Sequence, residues 1–358
     1  MSASDSTRYG LGPDELEALV ETWGEPRYRA AQIVDALYRR RVPLEDATNL
    51  PKALRARIAE ALPLALDVTA EATSADGETT RWLFETARDR AQVETVLMRS
   101  ESRASVCVSS QAGCAMACTF CATGQAGFER HLSAAEILEQ VVRAGHGSPQ
   151  PVTHVVYMGM GEPLANYDEV WASVERLHGE LGISARHLTI STVGVVPGMV
   201  RLAKERLPVT LAVSLHAPDD DLRTQLVPLN TRYPIAAVLD AAAEVAGAHG
   251  RRVTFEYACI AGVNDSLQQA GALARLLSAW QGVGGAHVNL IPLNPTAGFS
   301  GRAPTRARVR AFAERLREGG VGATIRRTRG VDIDAACGQL RARHPITRTP
   351  SASTTMDS

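Results

Sequence analysis

Three cysteines crowd one short stretch, Gly113-Cys114-Ala-Met-Ala-Cys118-Thr-Phe-Cys121. The spacing is C-x3-C-x2-C, with an aromatic residue before the last cysteine. Three thiolates in one loop can hold three irons of a cubic 4Fe–4S cluster and leave the fourth iron without a protein ligand. Electron-transfer clusters mostly take four cysteines, and structural zinc takes four closed ligands. The triplet therefore points to a cluster that binds something at its open iron. The rival is a zinc site completed by a distant His or Cys.

Other candidates lie further along. Gly159-Met-Gly161-Glu162-Pro163 combines glycines, which let backbone approach a ligand, with a carboxylate that can accept from an ammonium. Small polar groups recur in Ser191-Thr-Val-Gly194, Ser214-Leu215-His216 and Pro292-Leu-Asn294-Pro295, each equally readable as a turn or helix cap. Of the remaining cysteines, Cys107 stands seven residues before the triplet and Cys337 near the C-terminus. Cys259 reads as a small buried hydrophobe without a role.

Something must position these residues. From residue 104 onward strand and helix patterns alternate. Strands are predicted over 105–109, 153–158, 187–191, 209–214, 252–257 and 287–291, with a further one over 323–326. Helices are predicted over 134–144, 170–178, 235–246, 267–279 and 305–317. Ser133 and Glu136 make a capping-box pattern, and Ile137, Leu138, Val141 and Val142 an apolar face. About six βα units in this order predict an α/β fold, a partial or full barrel on a parallel sheet, with its site at the strands' C-terminal ends. The Cys114 loop, Gly161 and the three polar words all fall there. Residues 13–62 read as helices and residues 66–100 as short strands with a turn at Ala75-Asp-Gly77. The expected division is a helical accessory domain over 1–65, a β extension over 66–102, the core over 103–344 and a disordered Ser/Thr-rich tail over 345–358.

Composition narrows the class. The chain has 358 residues, 45% of them hydrophobic, and no apolar run near the roughly 20 of a membrane span. No signal-peptide core follows Met1, so the cytoplasm is expected, with no membrane partner. Six cysteines are too few for a disulfide scaffold. The net charge of −1 hides twelve arginines against four acidic residues over 301–348, and a second basic group at Arg27, Arg29, Arg39, Arg40 and Arg41. Such arginines are either solvated helix faces or a surface for a polyanion.

The triplet with its Phe120 resembles the cluster loop of the radical S-adenosylmethionine (SAM) enzymes. The Gly161-Glu162 word resembles the element with which they hold the methionine part of SAM. This resemblance implies Cys114, Cys118 and Cys121 as ligands of one 4Fe–4S cluster. It implies Gly161, Glu162, Ser191, Ser214, Leu215, His216 and Asn294 as SAM contacts. Three words resemble one family closely: Val106-Cys107-Val-Ser-Ser-Gln111, Cys121-Ala-Thr-Gly-Gln125-Ala-Gly-Phe128 and Val331-Asp332-Ile-Asp334-Ala-Ala-Cys337-Gly338-Gln339-Leu340. That family is the radical SAM methyltransferases of adenine C2 in 23S rRNA and tRNA, the RlmN family. The words Tyr28-Arg29-Ala-Ala-Gln32 and Thr48-Asn-Leu-Pro51-Lys52 extend the likeness over nearly the whole chain, the tail after Pro345 excepted.

Adenine C2 is an electrophilic carbon with no lone pair to attack the methyl of SAM, so polar methyl transfer fails there. The resemblance implies two SAM per turnover. Cys337 takes a methyl from the first; the cluster cleaves the second to a radical that activates this methyl, which adds to C2. Cys107 then attacks Cys337, leaving a transient disulfide, and Glu94 matches the proton acceptor. Whether Glu94 or Cys107 takes the C2 proton stays open at this point. Partners implied are 23S rRNA, tRNA and a flavodoxin-like electron donor, with a monomer as the default. The rivals are a C8-adenine methyltransferase, a zinc-stabilised RNA-binding protein without catalysis, and a radical SAM enzyme acting on a small molecule or protein.

Overall fold

A computed structural model describes residues 7–326 and 330–340. The chain opens with helices Pro13–Thr22, Tyr28–Val34 and Lys52–Ala61, the second prolonged by a wider turn over Asp35–Arg39. Their apolar stripes bury Leu16, Val20, Ile33, Leu37, Leu54 and Ile58. Two arginines fasten this unit to the rest. Arg41 donates to the carbonyls of Val152 (3.2 Å) and Leu181 (2.8 Å), and Arg176 to those of Tyr9 (2.6 Å) and Leu11 (2.9 Å).

Three antiparallel strands follow: β1 (Leu66–Thr73), β2 (Thr79–Thr86) and β3 (Gln92–Arg99). Each has eight residues, longer than the sequence suggested, and the turn at Ala75–Gly77 joins the first two. β4 (Ala104–Cys107) is antiparallel to β3 and begins the parallel array. β5 (Gln111–Gly113) and β6 (Phe128–His131) form a separate hairpin that brackets the cysteine loop, which the sequence did not reveal. The array continues with β7 (Val152–Tyr157), β8 (Leu188–Thr192), β9 (Thr210–Ser214), β10 (Thr254–Cys259), β11 (His287–Pro292) and β12 (Gly322–Ile325).

The sheet order is β1-β2-β3-β4-β7-β8-β9-β10-β11-β12. The seven parallel strands fall where the hydrophobic runs placed them. Among the described residues β12 does not pair back to β4, so the barrel is partial. Residues from the ends of β7 through β11 line one cavity, which requires the sheet to curl around it. No helix among the described residues is long and apolar enough to cross a membrane.

The Ala134–Gly145 helix shows why an amphipathic pattern can understate burial. Its capping box forms: Glu136 N–H donates to Ser133 Oγ (3.3 Å) and Ser133 N–H to the Glu136 carboxylate (2.9 Å). Its apolar face packs on the barrel, and β1 and β3 press on other parts of its surface, so Glu139 and Gln140 are fully buried as well. Glu139 accepts from Ala65 N–H (2.8 Å) and Leu66 N–H (3.2 Å), pinning the start of β1. Burial outweighs these bonds and the nearby Arg143, and raises the Glu139 carboxyl to about 7.

Candidate functional site

The cysteine loop owes its shape to the β5–β6 hairpin. Gly113 sits at φ +73°, where a Cβ would lie 2.0 Å from the Gly127 carbonyl oxygen. Cys114 N–H donates to that same oxygen at 2.7 Å. Beyond the loop, Gln125 N–H donates to Cys121 O (3.0 Å), starting the short Ala122–Ala126 helix. A Cβ on Gly124 would lie 2.9 Å from Cys118 N, so glycine lets this helix close down on the loop. Cys118 and Phe120 pack in one cluster with Leu226, Ala258 and Leu293 at the C-terminal ends of the strands.

The three thiols feel one another electrostatically. Burial, then this mutual repulsion, pushes Cys118 well above the usual thiol range. Burial likewise pushes Cys114 up to about 12. Metal binding must displace those protons. Among the described residues no three His, Cys, Asp or Glu side chains converge on a single ion position. Thiolates that each hold a different iron of a cube need not converge on one point, whereas zinc ligands must. The donor set and the glycine-shaped loop thus fit a cubic cluster held by Cys114, Cys118 and Cys121.

Glu162 is 2% exposed and ties two loops. Its carboxylate accepts from Leu164 N–H (3.0 Å) and from Val193 N–H beyond β8 (2.9 Å). Burial lifts this carboxyl to about 7. Gly161, at φ +100°, admits Gln111, whose Oε1 accepts from Glu162 N–H at 2.8 Å.

Cys118, Cys121, Gly161, Glu162, Ser191, Ser214, His216, Asn294 and Cys337 line the cavity at the strand ends. Cys114, Leu215, Cys107 and Glu94 do not line it. Leu215 is fully buried and contributes backbone, its N–H donating to Glu256 O (3.0 Å). His216 adopts φ +62°, and its Nδ1 accepts from Ala258 N–H (3.0 Å). Burial, with Arg223 nearby, drops its imidazole to about 3, so the ring stays neutral.

Arg223, which no sequence pattern marked, organises these loops. It is fully buried, and its guanidinium donates to the carbonyls of Leu215 (3.1 Å), Val193 (2.6 Å) and Ser214 (3.3 Å) and to Asn230 Oδ1 (2.7 Å). Ser109 was missed for the same reason. Its hydroxyl donates to Glu94 O (2.6 Å) and accepts from Met160 N–H (2.9 Å).

The C-terminal segment brings Cys337 over the cavity. Ala122 N–H donates to Gly338 O (2.8 Å), Thr123 Oγ1 to Leu340 O (2.7 Å) and Asn294 Nδ2 to Cys337 O (2.9 Å). Cys337 is exposed and lines the cavity, and desolvation by the surrounding chain raises this thiol. Cys107, at the end of β4, is pushed up to about 12 by burial and by Cys337. Arg326 is the cation that opposes the rise at both thiols. It also faces Glu256 across 3.8 Å.

Strand register places Glu94 beside Cys107. Val96 pairs with Cys107 across β3 and β4, and Glu94 lies two residues before Val96, hence on the same face. Glu94 is fully buried and paired with Arg81 at 3.1 Å. Leu83, Cys107, Met160, Ala335 and Leu340 pack together over this face.

A three-cysteine loop, a glycine–glutamate turn and a cavity at the ends of a partial βα barrel define a radical SAM enzyme. The Radical SAM superfamily matches residues 108–273, and the Ribosomal RNA large subunit methyltransferase N-terminal domain matches residues 9–63. A probable dual-specificity RNA methyltransferase RlmN from Parafrankia sp. (strain EAN1pec) is 52% identical over 356 residues, covering 94% of this chain and 91% of that one. One from Chloroflexus aurantiacus is 46% identical over 351 residues, covering 94% and 93%. The crystal structure of a radical SAM methyltransferase from Sphaerobacter thermophilus superposes with a TM-score of 0.88 at 49% identity, covering 94% of this chain and 99% of that one. The chain belongs to the RlmN family of radical SAM RNA methyltransferases, whose cofactors are a 4Fe–4S cluster and SAM.

Proposed function

We propose that the protein methylates C2 of an adenine in 23S rRNA and of an adenine beside the anticodon of tRNAs. The supporting observation is the pair of outer cysteines. Cys337 stands on the wall of the cavity that Cys118 and Cys121 also line, and Cys107 lies close enough for Cys337 to add to the burial that makes it a weaker acid.

Cys114, Cys118 and Cys121 would hold the cluster, which would supply the electron for reductive cleavage of SAM. The chain's own residues do the rest. Glu162, Gly161, Ser191, Ser214, Leu215, His216 and Asn294 hold SAM. The sulfur of Cys337 attacks the methyl carbon of one SAM, releasing S-adenosylhomocysteine, and holds that methyl as a thioether at the cavity. Burial raises both outer thiols, which opposes the proton loss each needs to act as a nucleophile, and Arg326 favours that loss. Glu94 accepts the C2 proton, its charge held beforehand by Arg81. Cys107 attacks the Cys337 sulfur, freeing the base and leaving a disulfide for cellular thiols to reopen.

The working unit is a cytoplasmic monomer reduced by a flavodoxin-like donor. Residues 1–65 act as an RNA-gripping accessory domain, 66–102 as a β extension and 103–344 as the core. Arg302, Arg306, Arg308 and Arg310 are exposed and available to phosphates, whereas Arg41 is spent on internal carbonyls. Arg327, Arg329, Arg341, Arg343, Arg348 and the tail over 345–358 lie outside the described residues.

Anaerobic incubation with 23S rRNA, SAM and reductant, followed by nucleoside analysis, tests the reading. It expects 2-methyladenosine, and a covalent RNA adduct with Cys107→Ala. An 8-methyladenosine product would overturn it.

A further inference from the structure

Arg81 bonds both the assigned base and the segment bearing the assigned methyl carrier. Its Nη2 donates to Glu94 Oε1 at 3.1 Å. Its Nη1 donates to the carbonyls of Ile333 (2.7 Å) and Asp334 (3.1 Å), four and three residues ahead of Cys337. The Arg81 side chain is 5% exposed and that of Glu94 1%.

The segment is bent to present those carbonyls. Gly330 and Asp334 are left-handed, at φ +64° and +52°. A Cβ on Gly330 would lie 2.9 Å from both Thr79 Cγ2 and Ala335 Cβ, so glycine brings the turn down onto β2. Ala335 N–H closes the turn on Gly330 O at 2.8 Å. Asp332 Oδ2 accepts from Ala75 N–H at 2.9 Å, on the β1–β2 turn. A planar guanidinium can hold a carboxylate and two carbonyls at fixed angles; an ammonium cannot. Burying such a pair costs about as much stability as it returns, so the value of this one lies in geometry.

The geometry points to Arg81 as a positioning residue that fixes Glu94 and the Cys337 segment in one frame. The inference rests on the roles proposed above for Glu94 and Cys337. It assigns Arg81 no contact with substrate or cofactor.

Hydrogen exchange of the cluster-loaded protein tests it. In Arg81→Gln, amides over 331–340 exchange about tenfold to a hundredfold faster, as the loss of a charge-assisted bond implies, while those of β7 to β11 do not change. Arg81→Lys recovers part of the protection. Arg81→Gln leaves Glu94 charged and alone, so Arg81→Gln with Glu94→Gln is measured beside it; the two effects do not add. A second readout is methyl transfer from SAM to Cys337 without RNA, followed by peptide mass. Arg81→Gln lowers its maximal rate about tenfold at unchanged KM for SAM and unchanged iron content. A merely loosened fold loses iron as well. Unchanged exchange over 331–340 in both variants overturns the proposal. A wild-type protein that never carries a methyl on Cys337 overturns the function proposed above, and leaves the exchange result to decide the role of Arg81.

Discussion

The side-chain amide of Asn294 donates to the backbone carbonyl of Cys337 at 2.9 Å. A residue just past β11 therefore steadies the C-terminal thiol as well as lining the cavity. Asn294→Ala is expected to slow methylation of Cys337 about threefold to tenfold, the worth of one neutral hydrogen bond. Asn294→Asp should be worse, because a carboxylate cannot donate to a carbonyl. Peptide mass spectrometry after incubation with SAM reads both.

Gly113→Ala should strip the protein of its cluster. The new methyl meets the Gly127 carbonyl at 2.0 Å, and Gly113 already sits at φ +73°. The hairpin must open, and with it the loop bearing all three ligands. Iron per chain is expected to fall toward that of Cys118→Ala, while far-ultraviolet circular dichroism stays close to wild type.

Arg223→Lys should cost about 2 kcal/mol or more of stability, since the ammonium leaves some carbonyls of Leu215, Val193 and Ser214 without a donor. Affinity for SAM should fall about tenfold or more, because those carbonyls set the loops that shape the cavity. Equilibrium dialysis of the cluster-loaded variant measures it. Normal SAM affinity would show that the loops hold without Arg223.

Glu139 should make the fold less stable as pH rises. Its carboxyl ionises at about 7 when folded against an ordinary value of 4.5. Between those values the folded chain keeps a proton that the unfolded chain has lost. The stabilisation is complete below about pH 4.5 and is gone above about pH 7, a change of about 3 kcal/mol. Urea titrations at pH 5 and 8 should show this slope in wild type and its loss in Glu139→Gln. Equal slopes in the two proteins would contradict the assignment.

The cysteine triplet and Glu162 were legible because their meaning is local, a spacing within one loop. The parallel strands were legible from runs of apolar residues. Arg81 and Arg223 were not, because their partners are main-chain carbonyls, and a sequence marks no carbonyl as awaiting a donor. Ile333 and Asp334 also stand 252 and 253 positions from Arg81. Nothing in Val93-Glu94-Thr95 itself marks Glu94 as buried. Its full burial depends on the C-terminal segment that covers its face of the sheet. Nor could counting arginines tell Arg41, consumed inside, from Arg306, left outside.

The stitching of residues 330–340 onto β2 and the cysteine loop also has a consequence in time. A nascent chain emerges from its N-terminus, and domains fold as they appear. Cys114, Cys118 and Cys121 leave the ribosome more than two hundred residues before Cys337. On the roles proposed above, a chain halted between them would own a radical-generating loop with no methyl to spend the radical on. Of the site residues proposed above, Cys337 is thus the last to be made, and it is the one that would turn a hazard into a modification.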